Sequence, residues 1–190
     1  MQNFPRKNAF LQKTVWISTC TFLSAFLLFP GLTRGQPITE GFNAFTDGTR
    51  PAGWTFNGCN NNSDTYTTAG DYGVAPPSIK LDGSGDYIQT ETLFRPDELN
   101  FWLKGQGTDS SSALLVEEYY SGGGWNTLTN VMPLPPAGTN LGPFPMDFFA
   151  TQARFTYTQS AGDLAFDDVG ITAAAPTATP TLTPVPTPST

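Results

Sequence analysis

The sequence predicts an all-β domain, an antiparallel jelly-roll β-sandwich, between an apolar N-terminal segment and a Thr/Pro-rich C-terminal segment. Two observations support this fold class. The 190 residues include 19 Gly and 17 Pro, which lie mostly between short apolar runs. No window of a dozen residues repeats apolar positions at helical spacing, so we predict about ten short strands and no helix.

The N-terminal segment has the layout of a secretory signal peptide. Its first 13 residues carry three basic residues and no acid, and residues 14–32 are almost wholly uncharged. Pro30 begins the break in the apolar run, and small residues stand three and one positions before Gln36. We therefore predict a signal peptide over residues 1–35, cleaved before Gln36. The alternative is an uncleaved signal anchor, since the apolar run is near the lower length for spanning a bilayer.

Charge and the reactive residue types narrow the functional classes. Residues 36–190 contain 5 basic and 16 acidic residues, a formal charge of −11, so nucleic acid and anionic membrane surfaces are poor partners. The chain has no His, which excludes Ser-His-Asp and Cys-His catalysis and His-ligated zinc. Removal of the leader leaves Cys59 as the single thiol, so no intrachain disulfide forms. Its simplest role is that of a small buried hydrophobe, with intermolecular pairing as the alternative.

The sandwich is predicted over residues 36–173 and is followed by a stalk. The best strands are residues 78–81, 87–90, 99–104, 113–120, 125–129, 152–158 and 164–171, with Gly-, Ser- and Asp-rich turns between them. Residues 174–190 are uncharged and rich in Thr and Pro, which predicts an extended, polyproline-like stalk open to O-glycosylation. Such a stalk suggests a module that is held away from a surface or joined to a downstream domain.

Three groups of residues carry a resemblance to a known family. The first is F-N-x-F-x-x-G-x-x-P-x-G-W over residues 42–54. The second comprises P-S-I-K-L-D at 77–82, G-D-Y-I at 85–88, L-N-F-W-L-K-G at 99–105, L-V-E at 115–117 and G-G-W at 123–125. The third is A-R-F-T-Y at 153–157 with G-D-L-A-F-D-D-V at 162–169.

Together these motifs resemble the jelly-roll modules of secreted bacterial adhesins, nucleases and peptidases, of the choice-of-anchor and cleaved-adhesin type. Those modules are similar to MAM, laminin-G-like and carbohydrate-binding domains. The resemblance covers residues 38–172. It implies a non-catalytic accessory module and identifies no ligand.

The acidic pair Asp167-Asp168 is a candidate metal site. It lies in an otherwise apolar closing strand, where a buried charge is costly without a partner or a cation, and calcium is the natural compensation. The resemblance implies a structural calcium between the first and last strands, which would bring Glu40 or Asn43 to Asp167 or Asp168. The alternatives are a solvated edge-strand pair and a carboxylate bonded to turn amides. In a regular strand the two side chains point to opposite faces, so at most one is a ligand unless a bulge intervenes.

Aromatic side chains are the candidate ligand-binding residues. Trp102 alternates with apolar neighbours, so we expect it to lie with Lys104 on an outer face, where an exposed Trp is a platform for a sugar ring. Tyr119 and Trp125 flank a Gly-rich hairpin and would extend that surface. The alternative for each ring is packing inside the sandwich.

The sequence therefore predicts an exported, non-catalytic binding or adhesion module, secreted or at the cell surface, that recognises a glycan or another surface component. Calcium is its expected cofactor. The alternatives are a ligand-free spacer of a larger surface protein, favoured if Trp102 is buried, and a secreted carboxylate-dependent hydrolase or lyase. Glu117 and Glu118 do not suit the last role, because consecutive strand residues project to opposite faces.

Overall fold

Short apolar and polar alternations fold into eleven strands. The computed structural model describes residues 35–45, 49–59 and 63–175. The strands are β1 (Ile38–Glu40), β2 (Thr55–Asn57), β3 (Thr65–Tyr66), β4 (Ser78–Leu81), β5 (Tyr87–Gln89), β6 (Pro96–Gln106), β7 (Ala113–Tyr120), β8 (Gly124–Val131), β9 (Thr139–Pro145), β10 (Ala150–Thr158) and β11 (Asp163–Ala173). Within these ranges no helix is long and apolar enough to cross a membrane. Apart from residues 35, 174 and 175, the predicted signal peptide and stalk lie outside the described residues.

The strands form two sheets with antiparallel pairing throughout. One has the order β3-β4-β11-β6-β9, with β1 also paired to β11, and the other has the order β2-β5-β10-β7-β8. The two inner faces enclose a single hydrophobic core. The predicted antiparallel β-sandwich is therefore confirmed.

Strand β11 is the centre of the six-stranded sheet. It pairs with β6 along most of its length. On its other edge it pairs with β4 over residues 164–166 and with β1 over residues 169–171. Asp167 and Asp168 lie where this neighbour changes, and the register with β6 also shifts between Asp167 and Gly170. The acidic pair thus occupies a break in the regular ladder, with a bulge at that point.

The centre of the core is aromatic. Phe166 of β11 is fully buried, and its ring centroid lies 4.7 Å from that of Phe155 and 5.6 Å from that of Phe101. Because Phe155 belongs to the five-stranded sheet and the other two rings to the six-stranded sheet, these contacts join the two layers. Aromatic pairs at such separations add stabilisation beyond their buried area.

The strands with clear alternation are those that the sequence predicts best. The predicted bounds of β4 and β7 agree with the structure, and β6, β8, β10 and β11 extend beyond theirs. Strands β1, β2, β3 and β9 are not among the best predicted strands. Strand β9 contains Pro143 and Pro145, which cannot donate to a ladder, and it lies at the edge of its sheet, where proline is tolerated.

Cys59 is a buried, free thiol. Its Sγ lies 3.6 Å from the carbonyl oxygen of Asn57 and 3.8 Å from that of Tyr87. Burial, reinforced by the nearby charge of Asp86, raises the pKa of the thiol to about 12. The interpretation of Cys59 as a small buried hydrophobe is confirmed, since an intermolecular disulfide would need an accessible thiolate.

This burial predicts that Cys59 is unreactive in the folded protein. In a Cys20→Ser background, which leaves Cys59 as the one thiol, Ellman's reagent at pH 8 is expected to label the native protein far more slowly than the denatured protein. The reason is that the thiol is both protonated and inaccessible until the chain unfolds. The Cys20→Ser/Cys59→Ser variant gives the blank, and equal labelling rates in native and denatured protein would contradict the assignment.

Candidate functional site

Trp102 lies on the outer face of the six-stranded sheet, as its alternation predicts, but it is not exposed. Only 7% of its surface is accessible. A Cβ on Gly138 would overlap the indole ring, and one on Gly73 would lie 3.3 Å from its Cγ. The expected exposed platform at Trp102 is therefore wrong. The ring is covered by a loop over residues 67–77, called the covering loop below, and by the turn before β9.

Lys104 holds the covering loop in place. Its Nζ donates to Asp71 Oδ1 at 2.6 Å and to the carbonyl oxygen of Gly70 at 3.2 Å. Gln106 donates to the same Asp71 oxygen at 2.6 Å. These contacts, that from Lys104 first, hold the pKa of the Asp71 carboxyl below its usual value. Lys104, a predicted ligand-binding residue, is thus engaged within the protein.

Asp167 is a carboxylate held by backbone amides. It is fully buried. Its Oδ2 accepts from the Gly73 N–H and its Oδ1 from the Asp168 N–H, each at 2.8 Å. Burial raises the pKa of Asp167 to about 7, and the nearby charges of Asp168 and Glu40 act in the same direction. Both Asp167 oxygens therefore accept hydrogen bonds from backbone N–H groups. This arrangement matches the alternative in which the carboxylate is bonded to turn amides.

Asp168 lies beside the segment that follows β1 and beside the covering loop. Its φ of 47° places it in the left-handed region, and its Oδ2 accepts from the Val74 N–H at 2.6 Å. Its Oδ1 points towards Gly41, where a Cβ would lie 3.2 Å away. One end of the Asn43 amide lies 2.8 Å from the Ala75 carbonyl oxygen and 2.9 Å from that of Gly41. With its nitrogen at that end, the amide donates hydrogen bonds to both carbonyl oxygens, which is the orientation that satisfies every group.

Glu40, Asn43, Asp167 and Asp168, called the acidic junction below, are therefore brought to one region between β1 and β11. Glu40 Oε1 accepts from the Phe42 N–H at 2.6 Å. Among the described residues, no three acidic, His or Cys side chains are arranged to hold a metal ion. The oxygen atoms in this region belong to the Asp168 and Glu40 carboxylates, the Asn43 amide, and the Gly41 and Ala75 carbonyls, of which the two carbonyls accept from Asn43. Such a set of carbonyl and carboxylate oxygens fits calcium and no soft metal.

The outer face of the five-stranded sheet carries a cluster of aromatic and charged side chains. The Tyr119 and Trp125 rings lie 5.2 Å apart. The Arg154 guanidinium lies 4.1 Å from the centroid of Trp125 and 5.9 Å from that of Tyr87. Glu117 accepts from Arg154 Nη2 at 2.7 Å and from Nε at 3.1 Å. We call Tyr87, Glu117, Tyr119, Trp125 and Arg154 the aromatic face.

Strand register explains why these five residues meet. Tyr119 is paired with Trp125 across the β7–β8 hairpin. Arg154 of β10 is paired with Glu117 on one side, and the neighbouring Thr156 is paired with Tyr87 on the other. Residues paired across antiparallel strands project to the same face of a sheet. Their buried neighbours Val116, Ile88 and Phe155 face the core, so the cluster faces outwards.

The sequence-predicted ligand residues thus divide between the two sheets. Tyr119 and Trp125 are brought together on the aromatic face, whereas Trp102 and Lys104 lie on the opposite sheet under the covering loop. Tyr87 and Arg154 are members of the face that the sequence prediction missed. The sequence does contain one indication of Arg154. It is the only basic residue after Lys104, and it lies between apolar residues in a strand pattern.

Glu117 and Glu118 project to opposite faces of β7. Glu117 pairs with Arg154 on the outer face, whereas Glu118 is buried on the inner side. Glu118 accepts from the Tyr120 hydroxyl at 2.5 Å and from the Asp147 N–H at 2.9 Å. The prediction that these two side chains project to opposite faces is confirmed, so the two carboxylates cannot flank one scissile bond.

A second exposed apolar site lies close to the C-terminal end of β11. Phe94, Phe148 and Phe149 are 48%, 38% and 75% exposed and line a shallow cavity of about 250 Å³. The Arg95 guanidinium lies 4.4 Å from the centroid of Phe148. Ala174, where the chain leaves β11, donates to the Arg95 carbonyl oxygen.

Comparison with known proteins supports the fold. By sequence, no protein-family model and no curated protein matches the chain. By structure, the chain is similar to three cleaved adhesin domains of Lys-gingipain, of which K1 and K3 are from Porphyromonas gingivalis W83. The K2 domain matches with a TM-score of 0.57 and 11% identity over 72% of this chain and 99% of that domain. The K1 domain matches with a TM-score of 0.54 and 16% identity over 74% of this chain and 100% of that domain.

The K3 domain matches with a TM-score of 0.52 and 16% identity over 72% of this chain and 98% of that domain. At these sequence identities, the structural similarity shows only that the fold is shared. The described part of the chain has the jelly-roll sandwich fold of a cleaved adhesin domain. The resemblance that the sequence motifs predict is therefore confirmed at the level of the fold.

Proposed function

We propose that the domain is an exported, non-catalytic binding module whose aromatic face attaches it to a glycan or another cell-surface component. The observation that carries this proposal is the pair of half-buried rings, Tyr119 and Trp125, 5.2 Å apart on an open sheet face. Aromatic rings with one accessible side provide apolar contact area at little cost in conformational entropy. The C–H face of a sugar ring is a suitable partner for such a surface.

The surroundings of the two rings support a carbohydrate ligand. Gln89, Gln152 and Thr127 occupy outer positions of neighbouring strands, as their pairing with Arg154, Tyr119 and Glu117 shows. Their amide and hydroxyl groups can both donate to and accept from sugar hydroxyls. Arg154 fixes the Trp125 ring from one side, and a preorganised side chain loses less entropy on binding.

We also propose a structural calcium at the acidic junction. Asp168 and the carbonyl oxygens of Gly41 and Ala75 would hold it, with the Asn43 amide turned so that its oxygen faces the ion and with Glu40 beside them. Three non-glycine residues among those described have a positive φ. One of them, Asp168, belongs to this junction and another, Phe42, adjoins it, so the backbone here is held in an uncommon geometry. The ion would supply positive charge where carboxylates meet and would tie β1 and the covering loop to β11.

The predicted signal peptide and Thr/Pro-rich stalk complete the proposal. The leader would export the chain, and the stalk would present the module at a distance or join it to a downstream domain. The protein would then be secreted or displayed at the cell surface. The excess of acidic residues argues against nucleic acid and anionic membrane surfaces as partners.

The second candidate function is a structural spacer without a ligand of its own. The burial of Trp102 favours it, because the aromatic residue expected to form the platform is engaged in holding the fold together. A carboxylate-dependent hydrolase has no comparable support, since Glu117 and Glu118 diverge. Ligand retention by the aromatic face distinguishes a binding module from a spacer.

The Trp125→Ala substitution is expected to weaken glycan binding about tenfold and to leave the thermal midpoint almost unchanged, because it removes a half-buried ring from the outer face. The measurement is affinity electrophoresis in gels containing xylan, β-1,4-galactan or a soluble β-glucan. The Phe149→Ala variant, which removes an exposed ring elsewhere, is the control and is expected to bind like the parent. Retention of the parent by none of these polymers, or equal retention of Trp125→Ala, would favour the spacer.

Calcium in a hundredfold excess over its Kd is expected to add about 2.7 kcal/mol to the free energy of unfolding. The corresponding rise in Tm, relative to protein in EDTA, is on the order of 5–10 °C. The Asp168→Asn variant is expected to lose this response, whereas the Asp97→Asn variant, which removes an exposed carboxylate on β6, is expected to keep it. An identical Tm of the parent in calcium and in EDTA would rule out a structural ion.

A further inference from the structure

The aromatic face is nearly neutral on a strongly acidic domain. The five strands of its sheet, which the structure describes in full, contain three charged residues, namely Arg154, Glu117 and Glu118. Glu118 is buried on the inner side, so one positive and one negative side chain project outwards. The other sheet carries Glu40, Lys80, Asp97, Glu98, Lys104, Asp163, Asp167 and Asp168 in its strands. The outer positions around Trp125 are otherwise aromatic or neutral and polar.

Arg154 is already paired within the protein. Two of its five N–H donors are directed at Glu117 Oε2, and one side of its guanidinium lies over Trp125. The two charged side chains are 26% and 13% exposed, so the pair is partly shielded from solvent. Two adjacent donors of the planar guanidinium that meet one carboxylate oxygen fix the orientation of the Arg154 side chain. The remaining N–H groups can donate to neutral oxygens, but an incoming carboxylate would compete with Glu117 for the same cation.

We propose that the Glu117–Arg154 pair makes the aromatic face selective for neutral glycans over glycans that carry carboxylates. This inference rests on the proposed function, namely that the face binds a glycan. A sugar carboxylate placed over Trp125 would approach Glu117 as a like charge and would enter the field of a domain with a formal charge of −11. A neutral sugar is repelled neither by Glu117 nor by the negative field of the domain. Its hydroxyls and C–H groups can contact the aromatic, amide and hydroxyl side chains of the face. Specificity here comes from a group that repels the wrong ligand as well as from groups that hold the right one.

The test compares each neutral polysaccharide that retains the parent protein with the carboxymethylated form of the same polymer, at low salt. We expect the parent to bind the carboxymethylated form at least tenfold more weakly. The Glu117→Gln variant frees the Arg154 cation while preserving side-chain size, so the difference is expected to shrink severalfold. The effect is expected to fade in 0.5 M NaCl, because it is electrostatic.

Two control variants separate a local effect from a change in overall charge. Glu98→Gln removes the same charge from the other sheet and is expected to discriminate like the parent. The double variant Glu117→Gln/Arg154→Gln has no cation at the face and is expected to gain no affinity for the carboxymethylated polymer. Thermal unfolding verifies that each variant is folded. If Glu117→Gln is unstable, the second test is the parent in 0.5 M NaCl, where undiminished discrimination would contradict an electrostatic origin.

Several results would overturn the inference. Equal or tighter binding of the carboxymethylated polymer by the parent would do so and would leave the proposed glycan-binding function intact, provided that Trp125→Ala still loses the neutral polymer. An unchanged difference in Glu117→Gln would assign the discrimination to polymer shape. A gain in Glu98→Gln equal to that in Glu117→Gln would assign it to net charge. Failure of the parent to bind any polymer would overturn the proposed function, and this inference with it.

Discussion

The buried carboxylate of Asp167 is the constraint on which the rest of the structure depends. It lies in the central strand of the six-stranded sheet, where β4 ends as a neighbour and β1 begins. A buried carboxylate is costly unless donors satisfy it. The donors are the backbone N–H groups of Gly73 and Asp168, so Asp167 holds the covering loop on one side and the bulge of β11 on the other. A Cβ at Gly73 would overlap the Asp168 carboxylate, which explains the glycine at that point.

This arrangement makes the two sheets unequal. The covering loop lies over the outer face of the six-stranded sheet, buries Trp102 and engages Lys104 through Asp71. The five-stranded sheet keeps its outer aromatic side chains half-exposed, around a single ion pair between Arg154 and Glu117. In the proposed function, the acid-rich sheet would have the structural role and the nearly neutral sheet would bind the ligand. The same asymmetry unites the two proposals, since the ion would stabilise one sheet while the glycan would occupy the other.

Local alternation predicts much of the fold, because it reports directly on which side chains face the core. Strands β4 and β7 were predicted with their observed bounds for this reason, and Tyr119 and Trp125 were placed together because they flank one hairpin. The orientation of Trp102 was also predictable, but its burial was not. Its cover comes from Gly73, 29 residues before it, and from Gly138, 36 residues after it, and alternation carries no information about such distant contacts. The edge strand β9 was missed because its prolines and glycine resemble a loop.

The candidate sites were predictable only where sequence neighbours form them. Arg154 and Tyr87 join the aromatic face from β10 and β5, and that strand order is a property of the whole topology. At the acidic junction, the resemblance to jelly-roll modules indicated that the first and last strands would meet. It did not indicate that the backbone amides of Gly73 and Asp168 would satisfy Asp167, while Asp168 would accept from the Val74 N–H and lie beside Gly41. A bulge gives Asp167 and Asp168 these different surroundings. It lies where β1 replaces β4 as the neighbour of β11.

The location of the proposed binding face is tested most directly by nuclear magnetic resonance during a titration with oligosaccharides from a polymer that retains the protein. Indole N–H resonances assigned by Trp→Phe substitution report separately on the two sheets. The structure predicts that the Trp125 indole and the Arg154 side-chain N–H resonances shift with saturation, while the Trp102 indole resonance does not move. A shift at Trp102 without one at Trp125 would place the ligand on the covered sheet and would contradict the account.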